Sequence, residues 1–147
     1  MPTRTARTAW TGGLQDGTGQ VELASSGAGK YDVSFPKRAA DNAEGTTSPE
    51  ELIAAAHSSC YAMALSAEIG NAGATPRSLD VTADVTLAPD PAGGFRISGI
   101  KITVRGRVDG LDDAAFRTAA EAAKSGCPVS KALAGVDNIT LDAALES

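Results

Sequence analysis

One run constrains this chain more than any other: Ser48-Pro49-Glu50-Glu51-Leu52-Ile53, followed by small and apolar residues as far as Ile69. Ser48 suits a helix N-cap, where its hydroxyl accepts from an otherwise orphaned backbone N–H. Pro49 suits the first helical position, and Glu51, three residues past the cap, completes a capping box. Gly70 and Gly73 end the helix. Leu52, Ile53, Ala54 to Ala56, Ala62 to Leu65 and Ile69 cover most of its circumference, so the helix is expected to be central and buried. The rest of the chain must wrap it. Aromatic residues make up only 4% of the sequence, so the wrapping core has to come from Ala, Val, Ile and Leu.

Short strands are predicted before this helix, near Ala9–Thr11, Gly19–Ala24 and Tyr31–Phe35, divided by Gly-rich turns. Pro36 to Thr47 reads as a loop. After the helix, Leu79, Val81, Ala83, Val85 and Leu87 alternate with polar residues, as in a half-buried strand. Its partner has Phe95 and Ile97 in one frame and Ile100, Ile102 and Val104 in the other, which predicts a bulge at Ser98-Gly99. Pro89 to Gly94 makes the hairpin loop. A second helix runs from about Asp112 to Lys124, with Phe116, Ala119, Ala120 and Ala123 on one stripe and Gly126 as its C-terminal cap. Cys127-Pro128 starts a further short helix, and Val136 to Leu145 closes with a strand. The order is β-β-β-α-β-β-α-β, an α+β fold. At 147 residues the chain reads as one domain, 1–147, able to bury roughly 70% of its unfolded surface.

The net charge of -5 argues against nucleic acid and anionic membranes as partners, since both reward clustered Lys and Arg. The start has two arginines but no apolar core of a secretory signal, and no stretch approaches a membrane span. A cytoplasmic location is expected. In that compartment the two cysteines point to catalysis, redox sensing or metal binding rather than a permanent bridge.

Cys60 follows His57, Ser58 and Ser59 in an otherwise apolar helix. His57 shares its face, and an imidazolium there would favour the thiolate; the plain alternative is a core histidine with its hydrogen bonds satisfied. Cys127 has its own reason to be reactive. Pro128 at a first helical position makes Cys127 the N-cap, where unpaired N–H groups stabilise a thiolate. Spacing alone does not say which sulfur attacks. His57, Cys60 and Cys127 also supply three ligands for a metal reading, but no zinc spacing accompanies them. Glu50 is surplus to the capping box, and Arg38 in a loop needs no special role.

Thr47 to Cys60, with Gly126-Cys127-Pro128-Val129-Ser130 near the end, resembles the OsmC (osmotically inducible protein C) branch of the OsmC/Ohr superfamily, and the resemblance covers essentially the whole chain. His57 and Val129 look more like the OsmC branch, since the organic-hydroperoxide-resistance branch tends to place aromatic residues at those sites. The resemblance implies an OsmC-like fold and an intertwined homodimer with active sites at the interface. It implies a thiol peroxidase of oxidative and osmotic stress defence, preferring organic hydroperoxides to hydrogen peroxide. Cys60 is then the peroxidatic thiol, Cys127 the resolving one, Arg38 the activating cation and Glu50 its acidic partner. No cofactor is implied beyond the cysteine pair and an external, lipoyl-type dithiol reductant. Ala39 and Ala40 replace the bulkier residues usual after this arginine, which alters the pocket wall. Ten residues separate Glu50 from Cys60, about 15 Å of helical rise. At least one of Arg38 and Glu50 is therefore expected to reach Cys60 from the partner subunit. The alternative on the same fold is a non-catalytic redox sensor or small-molecule-binding protein.

Overall fold

The computed structural model describes residues 1–146. Their contacts gather into two compact units, Met1–Leu52 and the residues from Ile53 on. The α+β element order follows the expectation, with one added short helix before the long one.

In the first unit, β1 (Arg7–Thr11), β2 (Thr18–Glu22) and β3 (Lys30–Val33) form an antiparallel sheet in chain order. The segment expected to be loop opens with a four-residue helix, α1 (Phe35–Arg38). Ser34 caps it by accepting from the Lys37 N–H, and Pro36 sits in its first turn. Thr47 then bridges back to Val33, and α2 begins.

The helix α2 spans Pro49–Asn71. Half of the capping box forms: the Glu51 N–H donates to Ser48 Oγ at 3.1 Å. The Glu51 carboxylate turns instead to the Thr47 hydroxyl, which donates to it at 2.6 Å. The C-terminal end is a Schellman motif. Gly73, at φ +80, donates to the Gly70 carbonyl, and Ala74 donates to that of Ile69. Gly73 is the residue whose backbone requires glycine's freedom.

From Ile53 on, α2 supplies His57, Tyr61, Leu65 and Ile69, spaced one turn apart and all fully buried. In the single chain the helix is not buried all round, contrary to what its pattern leads us to expect. Ala55, Ala56, Ser59 and Ala67 are exposed in the single chain, and Met63 is 73% exposed. Alanine methyl groups carry too little apolar area to force burial, so an Ala-rich circumference accommodates a solvent-facing side.

The second sheet has the order β4-β5-β6, made of Thr75–Pro89, Phe95–Asp109 and Ile139–Leu145. Strands β4 and β5 pair antiparallel. Thr86 faces Gly99 while Leu87 faces Ile97, which leaves Ser98 as the extra residue of the expected bulge. A second irregularity, at Arg77, has no counterpart in the hydrophobic pattern. Strand β6 returns parallel to β5 after a helical crossover. That crossover holds α3 (Asp113–Gly126), capped by Asp112, and α4 (Pro128–Ala132). Phe116, Ala119, Ala120 and Ala123 are the buried stripe of α3. They join Tyr61, Leu65, Ile69, Ile100, Ile102 and Val104 in one core.

Candidate active site

The first unit carries an ion pair built by the end of one helix and the start of the next. Arg38 ends α1 and Glu50 lies in the first turn of α2. Arg38 Nε donates to both Glu50 carboxylate oxygens, at 3.2 and 3.1 Å, and Nη2 donates to Oε1 at 2.7 Å. This forked contact fixes the guanidinium plane. Hydrogen bonding from Glu50 outweighs the cost of burial and holds Arg38 charged beyond its ordinary range. Beside the pair lies an apolar cavity of about 380 Å³, lined by Trp10, Leu14, Val21, Phe35, Arg38 and Leu52 among others. A more polar cleft of about 580 Å³, lined by residues such as Thr11, Gln20 and Asp32, has no Lys, Arg, His or Cys in its lining.

The second unit brings Cys60 and Cys127 together. Both are free thiols, Cys60 half-buried and Cys127 fully buried. Each sulfur acts on the charge of the other. Cys127 ends α3 by donating its N–H to the Ala123 carbonyl at 2.8 Å, and its own carbonyl accepts from Lys131 in α4 at 3.0 Å. Gly126 is the last residue of α3 rather than its cap. Pro128 makes the stop, because the residue before a proline is driven out of the helical region, and Cys127 has ψ 123.

As a thiol, the Cys127 sulfur makes no cap hydrogen bond. The surroundings favour its thiolate. Burial works against the charge, but the Ser130 N–H, the Cys60 thiol, the Ser130 hydroxyl and the Val129 N–H outweigh it. Cys127 is held below the ordinary cysteine range. Cys60 moves the other way. Burial pushes it up, the neighbouring Cys127 thiolate adds to the push, and the Val129 N–H offsets part of it. The pair titrates as one system whose first charge settles at the start of α4.

Of the two sequence readings of His57, the imidazolium does not hold. Burial lowers its pKa and keeps it neutral. Nor is it a fully satisfied core histidine. Nε2 lies 2.7 Å from the buried Ser130 Oγ, and Nδ1 has no partner among the described residues. Ser58 and Ser59 donate their hydroxyls to the carbonyls of Ala55 and Ala56 in their own helix, which accounts for their polarity. Among the described residues no group of three or more His, Cys, Asp or Glu is arranged to hold a metal ion, and no helix is long and apolar enough to cross a membrane. Sequence reasoning assigned nothing to Ser130. Its position three residues after a cysteine N-cap, where an N3 side chain turns back toward the cap, was the available signal.

Neutral His57 gives stability a pH dependence. The unfolded chain takes up a proton at this residue below its ordinary value of 6.5, and the folded chain resists it. Stability is therefore complete above that value and falls as the pH drops through the window beneath it, by up to about 1.4 kcal/mol per pH unit. Urea midpoints across that window should fall less steeply for His57→Gln than for the parent; parallel slopes would show that His57 is not the group responsible.

A forked Arg–Glu pair in one unit and an adjoining thiol pair in the other, on this strand and helix order, define a class of protein. Residues 41–142 match the OsmC-like protein family, to which this chain belongs. Peroxiredoxin OsmC of Escherichia coli (strain K12) is 42% identical over 138 residues, 94% of this chain and 93% of that protein. Organic hydroperoxide resistance protein OhrA of Bacillus subtilis (strain 168) is 30% identical over 146 residues, 98% of each. The crystal structure of OhrB from Bacillus subtilis superposes with a TM-score of 0.71 at 29% identity, covering 97% of this chain and 98% of that one.

Proposed function

We propose that this chain is a thiol-dependent peroxidase acting on organic hydroperoxides, and less efficiently on hydrogen peroxide. The observation that carries the reading is the adjoining pair of free thiols, Cys60 and Cys127, one of them held at a helix start that favours a thiolate. Relatives named peroxiredoxin and organic hydroperoxide resistance protein support it.

The Cys60 thiolate attacks one peroxide oxygen. The O–O bond breaks, the departing alkoxide takes a proton to become an alcohol, and Cys60 becomes a sulfenic acid. The Cys127 thiolate then attacks the Cys60 sulfur and displaces hydroxide, which leaves as water once protonated. An external dithiol, of lipoyl type, reopens the disulfide and is itself oxidised. The cysteine pair and this reductant suffice, with no further cofactor. Burial alone leaves Cys60 protonated, and the groups that shift it include no cation. Arg38 supplies one, oriented by Glu50, and it polarises the peroxide as well. The chain works as a homodimer in which the partner subunit provides this pair, and the exposed Met63 side of α2 suits such an interface. The apolar cavity beside Arg38 suits an organic rather than an inorganic peroxide. A cytoplasmic role in oxidative and osmotic stress defence follows, where thiols are kept reduced.

Turnover separates this reading from a redox sensor. With excess cumene hydroperoxide and dihydrolipoamide, the parent protein should consume many equivalents of peroxide per chain. Consumption that stops at one equivalent would leave the sensor reading in its place.

A further inference from the structure

We infer that His57 and Ser130 are positioning residues for Cys127: the buried imidazole fixes the Ser130 hydroxyl so that its proton is directed at the Cys127 sulfur. The consequence for turnover rests on the peroxidase reading; the geometry and the main test do not.

Counting donors and acceptors leads to one arrangement. His57 and Ser130 are both buried, and Nε2 and Oγ are 2.7 Å apart, so one must donate to the other. If Nδ1 carried the imidazole proton, that N–H would be buried with no acceptor among the described residues. Buried unpaired donors are rare and costly. The proton therefore sits on Nε2, Ser130 Oγ accepts it, and Nδ1 keeps only a bare lone pair. Ser130 has a single proton of its own. With its oxygen engaged by His57, that proton is available to the Cys127 sulfur, which as a thiolate only accepts. Ser130 stands at the third position of α4, counted from Cys127, where a side chain turns back toward the cap, and it favours the Cys127 thiolate.

The other titratable groups facing Cys127 come from α2. Cys60 is its thiol partner. Tyr61 is pushed far above its ordinary range by burial, with Glu121 and Cys127 adding to the shift. It donates to the Ala120 carbonyl at 2.9 Å and stays neutral. None of these supplies Cys127 with a fixed positive charge, so its thiolate depends on neutral donors held in place. That is the condition under which a preorganised hydroxyl matters most.

The test uses the full chain in a Cys60→Ser background, with the Cys127 thiolate followed by its ultraviolet absorbance against pH. Ser130→Ala should raise the midpoint by about one pH unit, the effect of one lost hydrogen bond to a charged group. His57→Leu should raise it too, and His57→Gln, which keeps an N–H near the Nε2 position, should bring it most of the way back. A Ser130→Ala curve that overlays its parent overturns the inference. So does a His57→Gln curve no closer to the parent than His57→Leu. If His57→Leu does not fold, Ser130→Ala decides the hydroxyl's part and His57→Gln the imidazole's, its midpoint expected close to the parent's and well below that of Ser130→Ala. With Cys60 restored and one equivalent of cumene hydroperoxide added at a pH below the Cys127 midpoint found in the titration, Ser130→Ala should slow the second thiol loss relative to the first by about threefold, a roughly tenfold loss of thiolate offset about threefold by greater nucleophilicity. A parent that loses no thiol sinks the peroxidase reading, and the titration then decides this inference by itself.

Discussion

Cys60→Ser is expected to slow the loss of protein thiols to one equivalent of cumene hydroperoxide by more than about a thousandfold, the scale on which removing a nucleophile acts. Cys127→Ser should instead lose its one thiol promptly and stop at a sulfenic acid that dimedone traps. The contrast is sharp because acidity and access point at different sulfurs. Cys127 is the more acidic thiol within its unit, but it is fully buried. Cys60 is pushed up by burial, yet it is the more exposed of the two. If acidity in the single chain decided the matter, Cys127 would attack and Cys60→Ser would keep a fast single-thiol loss. That result would reverse the assignment. Attack by Cys60 requires that it be brought to its thiolate by something outside its own unit, and the measurement of both variants under one condition tests that directly.

What was legible beforehand followed from signals that are local. The buried stripe of α3 came from helical spacing, the Ser98 bulge from a change of strand frame, and the start of α2 from the Ser48-Pro49 pair. Each depends on residues a few positions apart. The failures depend on contacts that spacing does not encode. Gly126 resembled a cap, but the proline two residues on made the stop. Glu51 had the position for a reciprocal cap, yet Thr47 offered a closer hydroxyl. Helix α1 was missed because four residues carrying Pro36 show no period, although Ser34 was a visible cap. In the candidate site, both cysteines stood out by their neighbours and helix positions, while the roles of Arg38 and Glu50 and their pairing came from motif resemblance; the forked geometry across twelve residues is what the fold adds. The partner of His57 is 73 residues away, so only the fold reveals that the imidazole faces Ser130 and is neutral.

Arg38→Ala should lower the rate of peroxide-dependent thiol loss by about 100- to 1000-fold, the range seen when one preorganised electrostatic donor is removed from a reacting centre. Two effects combine: Cys60 loses the cation that offsets its burial, and the peroxide loses a donor to its leaving oxygen. Arg38→Lys should recover little, since an ammonium cannot reproduce the fork that binds both Glu50 oxygens. Glu50→Gln should fall between, because the guanidinium stays but its plane is held less firmly. The same substitution also tests which subunit acts. In a dimer with the Arg38–Glu50 pair supplied in trans, a chain with Arg38→Ala and a chain with Cys60→Ser complement each other. The first offers an intact thiol and the second an intact guanidinium, so one of the two sites in each mixed dimer is whole. Refolding the two inactive variants together in equal amounts should restore about a quarter of the parent's fast thiol-reacting sites, as random pairing in a two-fold dimer dictates. If Arg38 acted on the cysteine of its own chain, no mixed site would contain both groups, and the refolded mixture would stay as inactive as its components.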